Sequence, residues 1–577
     1  MDDIEDALVV AIPTAANLPL PDCRRLTGPN MFWRYPGAVT DVFFADFAPE
    51  RVVSLWQSHA RRVLDAIGWP QEHSVARRFA GGVNLAISAP RDQLYSAVFA
   101  VQTAWHFCAA DLLGAFSGDF PSMIAALKLV MAREANPALI ALINAAGAHG
   151  IDVLCDDDAL SLGHGAGAQT WPITALPAPA SVDWRRLHDI PVALITGTNG
   201  KTTTTRLCAA IATAAGLVSG LTSTDFVRVG DQILDHGDYS GPGGARLLLR
   251  DLRLQIGFLE VARGGILRRG LPLEHAQAAA VLNVAADHLG EYGVNTVADL
   301  AGAKFSVHRA LVPGGILVLN ADDPNVVAEA AKTPGTIWWF SLHPDTPQIA
   351  AAVACGTSCA WLDGGTLVYF DGKNQIPVIA AAQIPIALNG RARYNIQNAL
   401  AAICLSCALG IDIPSVTKGL AGFQSDSVDN PGRCNEFAYN GARVFVDFAH
   451  NPHSIAAVTS ALNALPANRR FVMISHAGDR SDQDIHDLTA GAFALRPDIV
   501  IAAELAGYLR GRQPGEIPQL IRETCEALGM PAGDILLAAS PSDGAAKIIR
   551  MLEPGDLALL LVHSEREQIF KMLRSQA

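Results

Sequence analysis

The sequence predicts a multidomain α/β protein: an N-terminal α+β domain, a central parallel-sheet domain, and a C-terminal Rossmann-like α/β domain. Three observations carry this. At 577 residues, half of them hydrophobic, the chain exceeds what one core supports. Apolar strand-like runs alternate with helical patterns through its middle and again near its end, the mark of a parallel sheet with crossover helices. Between the first part and the second lies "WPITALPAPASVDW", prolines among small residues, which reads as a linker. The expected domains are 1–183, 184–425 and 426–577.

In chain order, the N-terminus "MDDIEDALVV" is acidic where a secretory signal would be basic, and no apolar run approaches the ~20 residues needed to cross a bilayer. A cytoplasmic protein is expected. The net charge of -13 opposes a general nucleic-acid or anionic-membrane binder, so any phosphate site must be local. Trp33, Trp56 and Trp105 are scattered as core aromatics would be. The central strands are "PVALITG", "LQIGFLEVARGG", "QAAAVLNVAAD" and "GGILVLNADDP". From Thr336 to Pro385 the texture changes to what reads as short antiparallel strands inserted on that core. "RYNIQNALAAICLSCALG" returns to helix, where Cys404 and Cys407 read as small buried hydrophobes in a reducing compartment rather than zinc ligands. The last domain carries "ARVFVDFA", "RRFVMISHA", "PDIVIAAE" and "GDLALLLVHS".

"ALITGTNGKTTTTRL" is a strand, a glycine turn and a helix start. Backbone N–H groups and the helix dipole favour an anion there. Gly197 and Gly200 let the backbone approach phosphate oxygens, Lys201 reaches the β/γ-phosphates, and the Thr202 hydroxyl can meet a magnesium ion. The loop is shorter than the usual P-loop, which would place glycine at Ile195.

In this form the loop resembles the ATP loop of the Mur ligase family, ATP-dependent amide-forming enzymes. "FLEVARGG" puts Glu260 at a strand end, and "LNVAADHLGEYG" looks like the family's Asn, Asp-His-Leu, Gly signature, with His288 matching a ligand of a second magnesium. Lys304 falls where many members carry a carbamylated lysine. Taken singly, Glu260 would read as a solvated strand end, His288 as a core histidine and Lys304 as an exposed helix lysine; their order along the chain favours the family reading. "NADDP" supplies Asn320 and Asp322, and "GRARYNIQNALAA" supplies Asn395 and Asn398, with Tyr394 where many members have histidine. "PGRCNEF" gives Arg433, similar to the arginine that reaches the ATP phosphates, and "VFVDFAHNPHS" gives Asp447, His450 and Asn451, followed by Asp479 and Arg480.

The resemblance implies a nucleotide site of Gly197, Thr198, Asn199, Gly200, Lys201, Thr202, Thr203, Asn320, Asn395, Asn398, Arg433 and Asp447, with ATP as cofactor and Thr202, Glu260 and His288 holding two magnesium ions. Lys201, Glu260, His288 and Lys304 are the implied catalytic set. Asp225, Arg263, His450, Asn451, Asp479, Arg480, Arg510 and Arg512 are the implied substrate-binding set.

Within the family, "STDFVRVGDQILDHGDYSGPGGARLLLRD" and the flanking motifs resemble the cyanophycin synthetases from about Ile190 to Pro531, and "RRLTGPNMFWRYPGAVTDV" resembles their beginning. Two departures stand out. The ATP-grasp domain that those enzymes carry between that N-terminal part and the phosphate loop is replaced by the short Pro/Ala stretch. "AAELAGYLRGRQPGE" keeps Leu509, Arg510, Gly511 and Arg512 but only Glu504 of an acidic cluster, and Phe226 stands where relatives have glycine. The resemblance therefore implies an acid-amino acid ligase that does not polymerise alone. Its partners would be a small-molecule or acidic-peptide carboxylate donor, an amino acid, further copies of itself in a homo-oligomer, and a separate ATP-grasp enzyme. The alternative from another class is a nucleotide-binding scaffold or partner subunit.

Overall fold

The structure is a computed structural model that describes residues 2–426 and 429–574. The described chain divides into two compact units. The first holds Met1–Phe340, Thr357–Cys359 and Ala401–Asp412; the second holds Ser341–Gly356, Ala360–Leu400 and Ile413–Ala577.

The first unit opens with an antiparallel sheet of β1 (Asp22–Leu26), β2 (Gly37–Phe43), β3 (Ser74–Phe79) and β4 (Gly82–Ser88), in the order β1-β2-β4-β3. The helices Pro49–Ile67, Leu94–Leu113 and Phe120–Glu134 form one apolar core with it, in which Trp56 and Trp105 are fully buried. Helices segregated against an antiparallel sheet make this the α+β part. A small sheet of β5 (Val153–Cys155), β6 (Ala159–Leu162) and β7 (Gln169–Pro172) follows. The proline-rich stretch is thus not a bare linker. Its first residues pair in β7, the Trp184 indole donates to Pro179 O at 3.0 Å, and its ring stacks on His149 at 4.5 Å. Buried apolar side chains and the satisfied indole hold it down, which proline content alone does not reveal.

The central sheet places β8 (Val192–Thr196), β9 (Ser219–Thr222), β10 (Phe226–Val229), β11 (Gln232–His236), β12 (Ile256–Glu260), β13 (Ala276–Val281), β14 (Leu311–Asn320) and β15 (Thr336–Ser341) in the order β11-β10-β9-β12-β8-β13-β14-β15. The pairs β9/β12, β12/β8, β8/β13, β13/β14 and β14/β15 are parallel. The run "TIWWFSL", expected to start an antiparallel insert, is instead the parallel strand β15. A short aromatic run carries no signal of strand direction. β8 and β12 are buried along their whole length, as a parallel strand covered on both faces must be. Their carboxyl ends lie side by side, where open α/β sheets bind ligands.

β16 (Cys359–Asp363), β17 (Thr366–Phe370) and β18 (Gln375–Ala380) follow in the chain, the last two within the second unit and antiparallel as the texture suggested. A six-stranded sheet then orders β19 (Asn435–Tyr439), β20 (Ala442–Asp447), β21 (Arg470–Ile474), β22 (Ile499–Ala503), β23 (Ile535–Ala538) and β24 (Leu557–Leu561) as β19-β20-β24-β21-β22-β23, parallel except for β19. β24 returns between β20 and β21, so three strand ends meet at the point where the winding reverses. Among the described residues, no helix is long and apolar enough to cross a membrane.

Leu194 sits fully buried in the middle of β8, in the core shared with Leu248, Leu259 and Val281. Leu194→Ala is expected to lower the stability of the first unit by about 3 kcal/mol, because a fully packed site leaves a cavity when three carbons are removed. Urea unfolding of variant and parent checks this, and an unchanged midpoint would contradict the packing described.

Candidate functional site

The strand β8 ends at Thr196, and the chain turns through Gly197–Gly200 into the helix Lys201–Ala214. Gly200 takes a left-handed φ of +86° just before the helix, which costs a residue without a Cβ nothing. At Gly197 a Cβ would stand 3.0 Å from Leu282 Cβ. The turn is strapped to the segment after β13: Asn283 Oδ1 accepts from Asn199 N at 2.8 Å, and Asn283 Nδ2 donates to Asn199 O at 3.0 Å. The Thr198 hydroxyl donates to Ala285 O at 3.1 Å and accepts from Ala285 N at 3.0 Å. Asn283 stands in a motif quoted from the sequence, yet its role is one that only the neighbouring strand order discloses.

Two lysines converge on one carbonyl. Lys201 Nζ donates to Gly197 O and Thr198 O, both at 3.1 Å, and Lys304 Nζ donates to Gly197 O at 2.9 Å. Lys304 is 3% exposed, so the reading of it as an exposed helix lysine does not hold. Its ammonium lies well below the ordinary lysine range, first because burial penalises the charge and next because Lys201 stands beside it. Glu260, at the end of β12, is 2% exposed rather than solvated, and accepts from the Thr202 hydroxyl at 2.9 Å. His288 is no core histidine either: its side chain is half exposed, on a loop, 3.9 Å from Asp287. The buried Asp287 Oδ1 has no hydrogen-bond partner among the described residues.

Magnesium ions fit these donors. The Thr202 hydroxyl with the Glu260 carboxylate, and the orphaned Asp287 oxygen beside His288, are hard oxygen ligands of the kind magnesium takes.

Other expected residues have partners within the protein. Asn320 donates to Leu282 O at 2.9 Å and accepts from Asp322 N at 2.9 Å, closing the end of β14. Asp225 accepts from Arg206 at 2.7 Å. Arg206, fully buried on the phosphate-loop helix and 4.8 Å from the Phe226 ring, was not singled out from the sequence, where one arginine among threonines looks solvated. Arg263 pairs with Glu291 at 2.5 Å. Thr203 is buried within the helix.

The second unit carries further candidates. Asn395 donates to Ile386 O at 2.8 Å and Asn398 donates to Asn395 Oδ1 at 3.1 Å, while Tyr394 packs against the apolar core around Phe445. At the end of β20, Asp447 accepts from Cys434 N at 2.7 Å and Ala449 N at 2.6 Å. Burial pushes its carboxyl up to about 6, with Arg433 opposing. The Arg433 guanidinium lies 5.0 Å from the Phe448 ring. Asn451 caps the helix Pro452–Asn463 through Ser454 N at 2.9 Å. Asp479 pairs with Arg510. Arg512 donates to Arg480 O and to Asp482 and Glu516, each at 2.7 Å. Glu504 accepts from Gly515 N at 2.5 Å, just before the helix Glu516–Ala527, so the one acid kept upstream of Arg510 is spent on a helix start.

Two residues outside the expected set join His450 here. His476 follows β21 and His563 follows β24; the ring centroids of His476 and His563 lie 6.3 Å apart, and those of His450 and His563 lie 6.4 Å apart. Burial, then His563, Arg480 and His450, hold His476 well below its ordinary range.

Residues 195–406 match the Mur ligase middle domain and residues 432–561 the Mur ligase glutamate ligase domain. The chain belongs to the Mur ligase family. Cyanophycin synthetase of Trichormus variabilis is 39% identical to this family member over 332 residues, 58% of this chain and 37% of that protein. A UDP-N-acetylmuramoyl-L-alanyl-D-glutamate--2,6-diaminopimelate ligase of Chlorobium phaeobacteroides is 27% identical over 385 residues, 63% of this chain and 70% of that one. The solved structure of E. coli FolC in complex with DHPP and ADP is 19% identical, with a TM-score of 0.49 over 67% of this chain and 89% of that chain. This Mur ligase family member thus spans well under half the length of the cyanophycin synthetases it matches.

The Asp447 carboxyl yields a pH prediction. Its unfolded value is 3.8 and its folded value about 6, so the fold favours the neutral acid. That contribution to stability is complete below the unfolded value and is lost as pH rises through the folded value. Between about pH 4 and pH 7 the parent is therefore expected to lose stability relative to Asp447→Asn, whose amide does not titrate. Thermal unfolding at several pH values checks this; parallel curves would contradict the raised carboxyl.

Proposed function

We propose that this Mur ligase family member is an ATP- and magnesium-dependent carboxylate-amine ligase. The observation that carries the reading is the convergence of Lys201, Lys304 and the Thr202–Glu260 pair on one glycine turn at a helix N-terminus. The chemistry is transfer of the γ-phosphoryl group of ATP to a carboxylate, giving an acyl phosphate. An amine then displaces inorganic phosphate from that acyl phosphate, through a tetrahedral intermediate, to form the amide. The acceptable donors are a small-molecule acid or an acidic peptide, and the amine is that of an amino acid.

The turn Gly197–Thr202 presents its backbone N–H groups and the positive helix end to the phosphates. Lys201, curled onto its own loop carbonyls, needs only to release them to meet the β/γ-phosphates. Thr202, Glu260 and His288 are the residues that would hold magnesium, which when bound neutralises charge on the phosphates. Positioning and charge neutralisation are nearly all that a protein contributes to phosphoryl transfer.

The depressed basicity of Lys304 supports a carbamate at that position. A neutral amine can attack carbon dioxide, whereas an ammonium cannot, and the carbamate, having lost a proton, would place an anion beside the Lys201 ammonium. With Arg510 and Arg512 already paired and Glu504 at a helix start, nothing among the described residues of that segment marks arginine as the amine. Attachment to a polymer by this chain alone is not part of the reading; the relatives' ATP-grasp chemistry would come from a separate enzyme.

Two measurements test it. The purified protein, given ATP, magnesium, acidic donors and amino acids, is expected to release phosphate only when donor and amine are both present. Lys201→Ala should abolish that release by about two to three orders of magnitude, the usual loss when one preorganised charge-stabilising group is removed. A nucleotide-binding scaffold would bind ATP without turnover under every pairing. ¹³C NMR of the protein in ¹³C-bicarbonate is expected to show one carbamate signal that Lys304→Ala removes; a spectrum identical in both would dismiss the carbamate.

A further inference from the structure

We infer that the N-terminal sheet positions the loop carrying His288, so that the second magnesium site of this ligase is set by side chains of β3 and β4. The inference rests on the reading of His288 as a metal ligand.

The loop holds backbone conformations that its own residues disfavour. His288, Gly290, Tyr292 and Gly293 all have left-handed φ, of +48°, +97°, +54° and +71°. Two of the four carry side chains that disfavour this region, a conformation that persists only where surroundings over-determine it. Within the loop, a single bridge between Glu291 and Val294 is all the regular pairing present.

The surroundings are supplied by the antiparallel sheet some two hundred residues earlier in the chain. Arg77 Nη1 donates to Gly293 O at 2.9 Å, and its Nη2 pairs with Asp299 at 2.5 Å, at the start of the helix Val297–Phe305 that bears Lys304. Asn84 Nδ2 donates to Tyr292 O at 3.2 Å, and Asn295 Nδ2 donates to Ala80 O at 3.2 Å. The Phe79 ring lies against Gly293 so closely that a Cβ there would come within 2.3 Å of it. One guanidinium thus touches both the His288 loop and the Lys304 helix.

These contacts are themselves anchored. Arg77 Nη1 also donates to Asn84 Oδ1 at 2.9 Å, Asn84 Nδ2 donates to Asp41 at 2.7 Å, and Asp41 pairs with Arg24 at 2.5 Å. Asn84, Asp41 and Arg24 are all buried, and Arg24 lies 4.5 Å from the Tyr292 ring. The central domain itself holds the loop by Val294, buried in its core with Tyr292 packed against it, while its polar grips are weaker in kind: Arg263 meets a Glu291 that is more than half exposed, and Arg268 reaches the exposed Tyr292 hydroxyl. Exposed pairs restrain little, whereas a desolvated network resists displacement because every bond lost leaves a buried polar group.

The test is Mn²⁺ binding followed by electron paramagnetic resonance, with the full chain saturated by a non-hydrolysable ATP analogue. Two binding steps are expected in the parent, and His288→Ala should remove the weaker. Arg77→Ala should weaken that same step about tenfold or more, the usual cost of removing a group that orients a ligand, while the other step and the nucleotide affinity stay unchanged. Arg77→Lys should recover part of the loss. Gly293→Ala, which removes no ion pair, should weaken the same step and provides the comparison should Arg77→Ala not fold. Folded variants that bind both ions like the parent would overturn the positioning role. A parent with one step, or a second step indifferent to His288→Ala, would instead overturn the reading of His288 and the inference with it.

Discussion

The hydrogen bonds between the Gly197–Gly200 turn and the segment after β13 are the constraint on which the site depends. Strands β8 and β13 are parallel neighbours, and their pairing continues past the strand ends, with Leu282 N donating to Thr196 O and Thr198 N to Asn283 O, each at 2.9 Å. Asn283 then clasps Asn199 from both sides. A glycine turn is free to adopt many shapes; paired in this way it has one, and the Gly197 carbonyl is aimed where two lysines can reach it. The depressed Lys304, the Thr202–Glu260 pair and the orientation of the helix Lys201–Ala214 all follow from that placement.

Much of this was legible in the sequence, and what was not had physical reasons. The runs "ALIT", "GFLE" and "AAAV" are continuous apolar stretches that became the buried parallel strands β8, β12 and β13. The glycine turn with Lys201 and Thr202 read correctly as a strand-to-helix loop. Direction was not legible: "TIWWFSL" joined the parallel sheet because strand polarity is set by connections, which residue type does not encode. Nor were internal partners: Asn395, Asn451, Arg510 and Arg512 have the chemistry of ligand-binding groups, and the fold gives each a cap, clasp or ion pair that residue type does not announce. Lys304, which taken singly would read as an exposed helix lysine, is buried, since burial of an amine depends on partners distant in the chain.

Both units spend buried polar groups at the carboxyl ends of parallel strands. In the first these are Glu260 and Asn320, at the ends of β12 and β14; in the second, Asp447 ends β20 and His476 follows β21. Burying a carboxylate or an imidazole is unfavourable unless it is paired, and here the opposition appears as shifted proton affinities: Asp447 raised, His476 lowered. Each shift moves its group toward the neutral form, as burial of a charge in a low-dielectric surround requires.

The Pro/Ala stretch before β8 marks a seam in the texture of the sequence but none in the solid. On one side of it stand Arg24, Asn30 and Arg91; on the other, the Leu267 carbonyl, Arg309 and Glu274, which meet them in direct polar contacts. A protease admitted at that stretch would nick the chain without parting it, and each half, if made alone, would show water a face built for the other. Insertion there lengthens a tether; deletion of either side removes a wall.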